Sequence, residues 1–258
     1  MTKSPLFPFP VPTNRDVLVF QFDNGEVIVV GCDSAGGIGP KQLDKLKVDG
    51  YTLGKFTARV ALMEVLSVGA NPICVVDTLS VEPEPTGNDI LRGIRDEAII
   101  AGLDPKLAVT GSTEKTFPVE QTGIGVTVIG MSRKAELRIG VSKPNDIVAA
   151  IGVPCVGEEV VPAGKEGKIA ETTDVLKLRN IEFIHDIIPV GSEGIAFEVG
   201  TLAEGANLKF KFADQQEVDV KKHAGPATVI LATLPKLKLA ELEHAINKPV
   251  NTVAQLCR

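Results

Sequence analysis

Four carboxylates, Asp16, Asp33, Glu64 and Asp77, and a glycine-dense stretch are where this chain could do chemistry. The run Val29-Val-Gly-Cys-Asp33 is apolar and β-branched up to its acid, and Ser-Ala-Gly36-Gly37-Ile-Gly39-Pro-Lys41 follows at once. Glycines at 36, 37 and 39 let backbone N–H groups approach an anion closely, and an acid delivered by a strand end can hold a metal ion that bridges phosphates. Neither common nucleotide fingerprint is present. Gly-x-x-x-x-Gly-Lys-Ser/Thr is absent, and Gly36-Gly-Ile-Gly39 lacks the full Gly-x-Gly-x-x-Gly spacing before a helix start. By itself the stretch also fits a structural β-turn. Glu64 sits among Leu62, Met63, Val65 and Leu66. It is either a solvent-facing helix position or a buried acid that needs a base or cation, because an unpaired buried carboxylate costs on the order of several kcal/mol.

The elements that must position these acids follow from hydrophobic period. Residues 16–22 and 26–32 are runs of apolar β-formers joined by Asp23-Asn-Gly25, a strong hairpin turn that leaves Asp33 at the end of the second arm. Residues 40–50 are charged and without period, the pattern of a mobile loop. Phe56, Val60, Met63 and Leu66 recur at helical spacing, which predicts a helix over 52–69 stopped by Gly69. A buried strand over 72–77 again ends on a carboxylate, Asp77. A helix over 88–101, a strand over 106–110 and a Val/Ile/Thr-rich strand over 123–131 complete a first half, 1–135. The second half, 136–258, carries strands at 146–153, 181–188, 207–212, 228–234 and 249–253. Its helices are expected at 169–178, 192–203 and 239–246, with a Gly/Lys loop at 163–168. Four prolines within residues 4–12 predict an extended segment lying over the body.

Composition narrows the class of function. The chain has 258 residues, 44% of them hydrophobic and 23% charged, the profile of a globular protein long enough for two compact halves. A net charge of −6 and sparse aromatics argue against nucleic-acid binding, which needs clustered Lys and Arg. No apolar run approaches a membrane span and the first residues lack a signal-peptide pattern, so a cytoplasmic protein is expected. Cys32, Cys74, Cys155 and Cys257 are too widely spaced for a disulfide framework or zinc site. The first three are expected as small core residues.

Five motifs in one order resemble the superfamily of aminoimidazole ribonucleotide synthetase, thiamine monophosphate kinase, selenophosphate synthetase and the hydrogenase maturation dehydratase. Thr57-Ala-Arg-Val-Ala-Leu-Met-Glu64 through Gly69-Ala-Asn-Pro72 resembles that family's Asn-Asp helix followed by Gly-Ala-x-Pro, with Glu64 in place of a metal-binding Asp. Gly31-Cys-Asp33 resembles its Thr-Asp strand end, and Asp16 stands where its first acidic motif ends. Leu107-Ala-Val-Thr-Gly111-Ser112-Thr113-Glu114 resembles its Gly-Gly-Asp/Glu-Thr stretch. His185-Asp186 through Gly191-Ser192-Glu-Gly194 resembles the second domain's Asp and glycine-rich helix start.

The resemblance implies an α+β fold. Its N-terminal mixed sheet with helices pairs across a homodimer into a barrel, and a C-terminal α/β domain follows. It implies ATP held with Mg²⁺: Asp16, Asp33, Glu64 and Glu114 on metal, and Gly36, Gly37, Gly39, Lys41, Gly111, Ser112 and Thr113 around the nucleotide. Gly191, Ser192 and Gly194 would offer N–H groups to a second anion at a helix start. Two departures stand out: Ser112 replaces an acid, leaving Glu114 as its only neighbouring substitute, and Glu replaces Asp at 64.

Within the superfamily the N-terminal segment has no reactive Cys of the selenophosphate synthetase type. Gln-Leu-Cys257-Arg differs from the Cys-terminated tail of the hydrogenase maturation relatives. What remains is a kinase or ligase. The run Arg59 to Glu64, the Thr110 to Glu114 stretch and the compact second half are most similar to α-ribazole kinases, which phosphorylate a ribosyl hydroxyl. A thiamine monophosphate kinase-like enzyme, another ATP-dependent ligase, and a nucleotide-binding regulator or scaffold without turnover are the alternatives. A kinase needs a group that orients the attacking hydroxyl or takes its proton, and Asp77, His185 and Asp186 are the candidates. His185 also fits a core histidine bonded to backbone.

Overall fold

The computed structural model describes residues 8–258, and they divide into two compact units. The first consists of residues 8–12, 16–66 and 70–137; the second consists of 138–258 together with residues 13–15 and 67–69. Of the Pro-rich stretch, residues 4–7 lie outside the described residues, and Phe9–Val11 forms an edge strand, β1.

In the first unit β2 (Val17–Gln21) and β3 (Glu26–Gly36) make the expected hairpin, closed at Gly25 with φ +82°. A short parallel pair, β4 (Ile38–Gly39) and β5 (Leu46–Lys47), precedes helix α1 (Gly50–Ser67). Strand β6 (Asn71–Leu79), helix α2 (Asn88–Ile100), the single helical turn α3 (Pro105–Ala108), β7 (Val109–Thr113) and β8 (Gly123–Arg133) follow. Strand order is β1-β2-β3-β8-β6-β7, antiparallel except for the parallel β6–β7 pair. This is the mixed sheet with helices that the motifs imply. Alternation along β3 buries Val27 and Val29 on one face and leaves Ile28 and Val30 only half-covered on the other.

Absent side chains decide where the helices rest. A Cβ on Gly31 would meet Val65 Cγ2 at 3.1 Å and one on Gly130 would meet Val65 Cγ1 at 2.5 Å, so two bare strand positions seat α1. The helices α1 and α2 then touch backbone to backbone. A Cβ on Gly54 would fall 2.0 Å from the Ile90 carbonyl oxygen, and one on Gly93 would fall 2.1 Å from that of Tyr51. Across this crossing Arg59 and Glu97 form a buried ion pair at 3.3 Å.

The second unit contains β9 (Asp146–Gly152), α4 (Val160–Lys165), α5 (Thr172–Arg179), β10 (Ile187–Val190) and α6 (Ile195–Gly205). It closes with β11 (Lys209–Phe212), β12 (Val229–Pro235), α7 (Leu239–Ala245) and β13 (Val250–Cys257). The strands pair antiparallel in the order β10-β12-β9-β13-β11. Its core sets Val199 and Leu202 of α6 among Val148, Val190 and Leu231 of the sheet.

Several expectations change. The strand expected at 106–110 begins at Val109, because the Asp104 side chain accepts the Lys106 N–H at 3.0 Å and Pro105 opens a helical turn. Residues 163–165, the first half of the expected Gly/Lys loop, are the end of helix α4. The last strand, expected to end at 253, runs on to Cys257, which pairs with Lys209. Of the three cysteines expected in the core only Cys155 is buried; Cys32 is exposed and Cys74 intermediate.

The crossing can be tested with two glycines. Gly93→Ala should lower stability by about 2 kcal/mol or more, since a rigid backbone must move to admit one methyl group. Gly200→Ala, in α6 with nothing within 4 Å of a new Cβ, should raise it by about 0.5–1 kcal/mol. Thermal melting of both variants reads the difference, and equal melting temperatures would mean that the crossing has room for a methyl group.

Candidate active site

Strand register sets a line of residues across four strands. Asp33 pairs with Val126, Val126 with Asp77 and Asp77 with Gly111. Partnered residues point to one face, so Asp33 and Asp77 stand on either side of Val126, two strand spacings or ~10 Å apart. The face is the one α1 covers. Gly31, on the same side of β3 as Asp33, would place a Cβ 3.3 Å from that of Glu64, so Glu64 meets the strand one pleat repeat before Asp33. The sequence places Asp33 and Asp77 at strand ends; both instead lie inside strands that run on to Gly36 and Leu79.

Both acids are held under strain of charge. Burial pushes the Asp33 carboxyl up to about 6, against the pull of the Ser34 N–H. Burial also raises the Asp77 carboxyl, with its own N–H and Arg95 opposing. Asp77 is 3% exposed, and its carboxylate lies flat over Gly111, where a Cβ would come within 2.2 Å of Cγ. With Arg95, Thr110, Ser112, Thr113 and Lys115 it lines a cleft of about 400 Å³.

The glycine stretch is a built turn. Gly37 has φ +70° and Gly39 φ +144°. The Gly37 N–H is donated to the Thr122 carbonyl at 2.9 Å, and the Gly37 carbonyl accepts from Lys45 N–H at 2.7 Å. Beneath Gly39 the buried Asp44 accepts the Thr122 N–H and hydroxyl, both at 2.7 Å, and the Lys41 N–H at 2.8 Å. The segment 40–50 is therefore pinned, and Gly37 has no spare N–H for a phosphate; Gly36, paired with Gly123 at the end of β3, has open space where a Cβ would stand. The Lys41 ammonium is bonded to the Glu82 carboxylate. It lines a larger cleft of about 740 Å³ with Asp49, Glu82, Asn88 and Arg92. Asp44, Glu82 and Arg95 were not singled out by sequence, where each is one charge in a run of polar residues.

Asp16 is exposed just before β2. Glu114 lies past β7, where its carboxylate accepts the N–H groups of Thr116 at 2.5 Å and Phe117 at 3.2 Å, which hold it below the ordinary value. Among the described residues no three His, Cys, Asp or Glu side chains gather to hold a metal ion, so the four acids are no all-protein cage. Mg²⁺ asks less, keeping waters and phosphate oxygens and taking one or two carboxylates. Asp33 with Glu64 fits that demand.

In the second unit the three remaining candidates separate. Asp186 is wholly buried: Arg15 pairs with it, and it accepts the N–H groups of Ile187 at 2.9 Å and Gly140 at 3.1 Å. A substrate cannot reach it, so its expected catalytic part gives way to a structural one. His185 donates or accepts through Nδ1 with Asp146 Oδ2 at 2.7 Å, which orients the ring by a carboxylate and not by backbone. Gly194, with φ +82°, opens α6, but the Lys222 and Lys221 carbonyls lie 2.9 and 3.2 Å from where its Cβ would be. The Ala196 N–H is already donated to the Val220 carbonyl at 2.8 Å, and the Ser192 carbonyl is bonded to the His223 ring. Carbonyl oxygens therefore surround the turn formed by Gly191, Ser192 and Gly194, which weakens it as an anion site.

Residues 14–132 match the family model described as AIR synthase related protein, N-terminal domain. No curated protein matches the sequence. Among solved structures, thiamine-monophosphate kinase from Stenotrophomonas maltophilia K279a is 15% identical at a TM-score of 0.65, over 99% of this chain and 90% of that one. T. maritima PurL complexed with ADP gives 15% identity and 0.65 over 98% of this chain and 43% of that one. AaThiL complexed with AMPPCP and TMP gives 13% and 0.62 over 99% and 87%. The chain thus has the AIR synthase-like fold. No helix among the described residues is long and apolar enough to cross a membrane.

The buried charge of Asp33 predicts a pH dependence. Its folded value of about 6 exceeds the ordinary 3.8, so the folded state keeps a proton that the unfolded chain gives up between these values. Stability should fall as pH rises through that window. Asp33→Asn should therefore be more stable than the wild type at pH 8, by about 1–3 kcal/mol, and equal to it below pH 4. Denaturant melts in chelator at both pH values read this, and parallel curves for the two proteins would contradict it.

Proposed function

We propose that this AIR synthase-like chain catalyses ATP-dependent phosphoryl transfer to a small-molecule acceptor. The observation that carries the proposal is the single face of the first unit's sheet that bears Asp33 and Asp77 and against which α1 sets Glu64, with two of the three acids raised by burial. Acids kept at such a cost have chemistry to do. Structures of like fold hold ADP in one case and AMPPCP with TMP in another, and the cleft beside Lys41 is of nucleotide size.

In this reading Asp33 and Glu64 would hold Mg²⁺ arriving on the nucleotide, and Asp16 and Glu114 are the proposed ligands of any second ion. The ion supplies neutralisation of phosphate charge. The chain's own residues position the partners, which is most of what phosphoryl transfer asks of a protein. As the finer reading, the acceptor is a ribosyl hydroxyl of the α-ribazole type. Likeness to thiamine monophosphate kinases supports thiamine monophosphate as the competing acceptor, and Ser112 in place of an acid supports a nucleotide-binding regulator without turnover.

The expected result is ADP release from ATP and Mg²⁺ when α-ribazole is added, none with thiamine monophosphate, and a fall of about 100-fold or more in Glu64→Ala. Full turnover in Glu64→Ala would refute the metal assignment. Calorimetric binding of AMPPCP with no turnover on either acceptor would favour the regulator.

A homodimer is the proposed assembly. The sheet face opposite α1 is apolar and covered by no element among the described residues: Leu18, Val30, Ile129 and Cys74 lie on one line of the register, and Leu18 and Ile73 are 59% and 47% exposed. A second copy of this face would bury it, as in a sheet that closes across two subunits into a barrel. Sedimentation should give a dimer for the wild type and a monomer for Leu18→Glu; a monomeric wild type at micromolar concentration would reject the assembly.

A further inference from the structure

The cleft over Asp77 has properties that the nucleotide alone does not use. Its acid is buried on the sheet and bonded by no other side chain among the described residues, and Gly111 is bare because the carboxylate occupies the space above it. Facing it are two cations from different elements, Arg95 of α2 and Lys115 beyond β7. Neither forms an ion pair among the described residues, in contrast to Lys41 with Glu82, Arg92 with Asp89 and Arg59 with Glu97 in the same unit. Thr113, which shares the Asp77 face through its register with Leu79, adds a hydroxyl group to the same cleft. A buried acid, two uncommitted cations and a hydroxyl group in about 400 Å³ describe a site for a small polyol carrying an anion.

We propose that this cleft is where the acceptor is phosphorylated and that it recognises a sugar phosphate, the phosphate monoester of the hydroxyl that reacts. The inference rests on the phosphoryl-transfer reading above and places the reacting acceptor hydroxyl in the first unit. In the step, the acceptor oxygen attacks the γ-phosphorus of ATP. The new O–P bond forms as the bond to the β-phosphate oxygen breaks, the acceptor's proton passes to the Asp77 carboxylate, and ADP leaves with the bonding pair. Arg95 and Lys115 hold the transferred phosphoryl group and then the phosphate of the product. A carboxyl raised by burial takes that proton more readily than an ordinary aspartate. The two clefts adjoin at Asn88, which lines both, so nucleotide and acceptor can meet without leaving the unit.

Binding can be measured without ATP, using D-ribose 5-phosphate, D-ribose and inorganic phosphate as probes on the full chain. Ribose 5-phosphate should bind at least about tenfold more tightly than ribose. Arg95→Gln and Lys115→Gln should each lose about tenfold of that affinity with unchanged melting temperature. Asp77→Asn should keep ribose 5-phosphate binding while kcat falls by about 10²–10⁴ with little change in KM. Ribose binding as tightly as its phosphate, or Arg95→Gln and Lys115→Gln both binding like wild type, would overturn the subsite. Arg95-dependent binding with no turnover on any acceptor would uphold the subsite while the kinase reading fails. Turnover undiminished in Asp77→Asn and Arg95→Gln would uphold the kinase and overturn the subsite.

Discussion

The closest packing in the first unit is between two backbones. Gly54 on α1 and Gly93 on α2 each leave room for a carbonyl of the other helix and nothing more. Once the crossing is fixed, so is the placement of side chains along both helices. About two to three turns beyond Gly54, α1 buries Ala61 and Val65 and brings Glu64 over Gly31. On α2, Arg95 stands two residues past Gly93 and lines the Asp77 cleft. Two glycines therefore set the distance between a proposed metal-binding acid and a proposed phosphate-binding cation, although neither glycine has a side chain to contribute. Helix propensity opposes both of them by about 1 kcal/mol each, and only tertiary contact justifies their presence.

The fold was legible where local pattern and tertiary need coincide. Asp23-Asn-Gly25 specifies its turn by itself, Gly69 and Gly102 both take positive φ where a helix must stop, and the β-branched runs become strands. The site was legible in part, because Asp33, Glu64 and Asp77 could be found as acids set in apolar runs. Their exact surroundings could not. How far a strand continues past its acid depends on the partner strand: β8 offers Val126, Gly125 and Ile124 to Asp33, Ser34 and Ala35, which no feature of β3 announces. Gly37 and Gly39 are needed where a phosphate loop would need them, yet what they accommodate is Thr122, Gln121 and Asp44, partners remote in sequence. Asp44 itself was hidden in a charged run, whose look is that of solvent until one member is buried and bonded three times.

The carboxylates of this chain fall into sets that differ in what their charge meets. Asp186 meets Arg15 and two N–H groups, and Asp44 meets two N–H groups and a hydroxyl. Each is buried and each is answered inside the protein, so each belongs to the architecture. Their residue type and burial would make them look catalytic if partners were ignored. Asp33 and Asp77 are different, because burial raises them and what opposes it is slight: one adjacent N–H for Asp33, and its own N–H with a cation at a distance for Asp77. A fold that can supply Arg15 to Asp186 could supply a partner to these as well. The free energy left unrecovered at Asp33 and Asp77 is then available to whatever charge or proton a ligand brings, and it is recovered only when that ligand is bound. On this argument the degree of internal satisfaction, more than residue identity or position in a motif, separates the acids that hold this protein together from those that act.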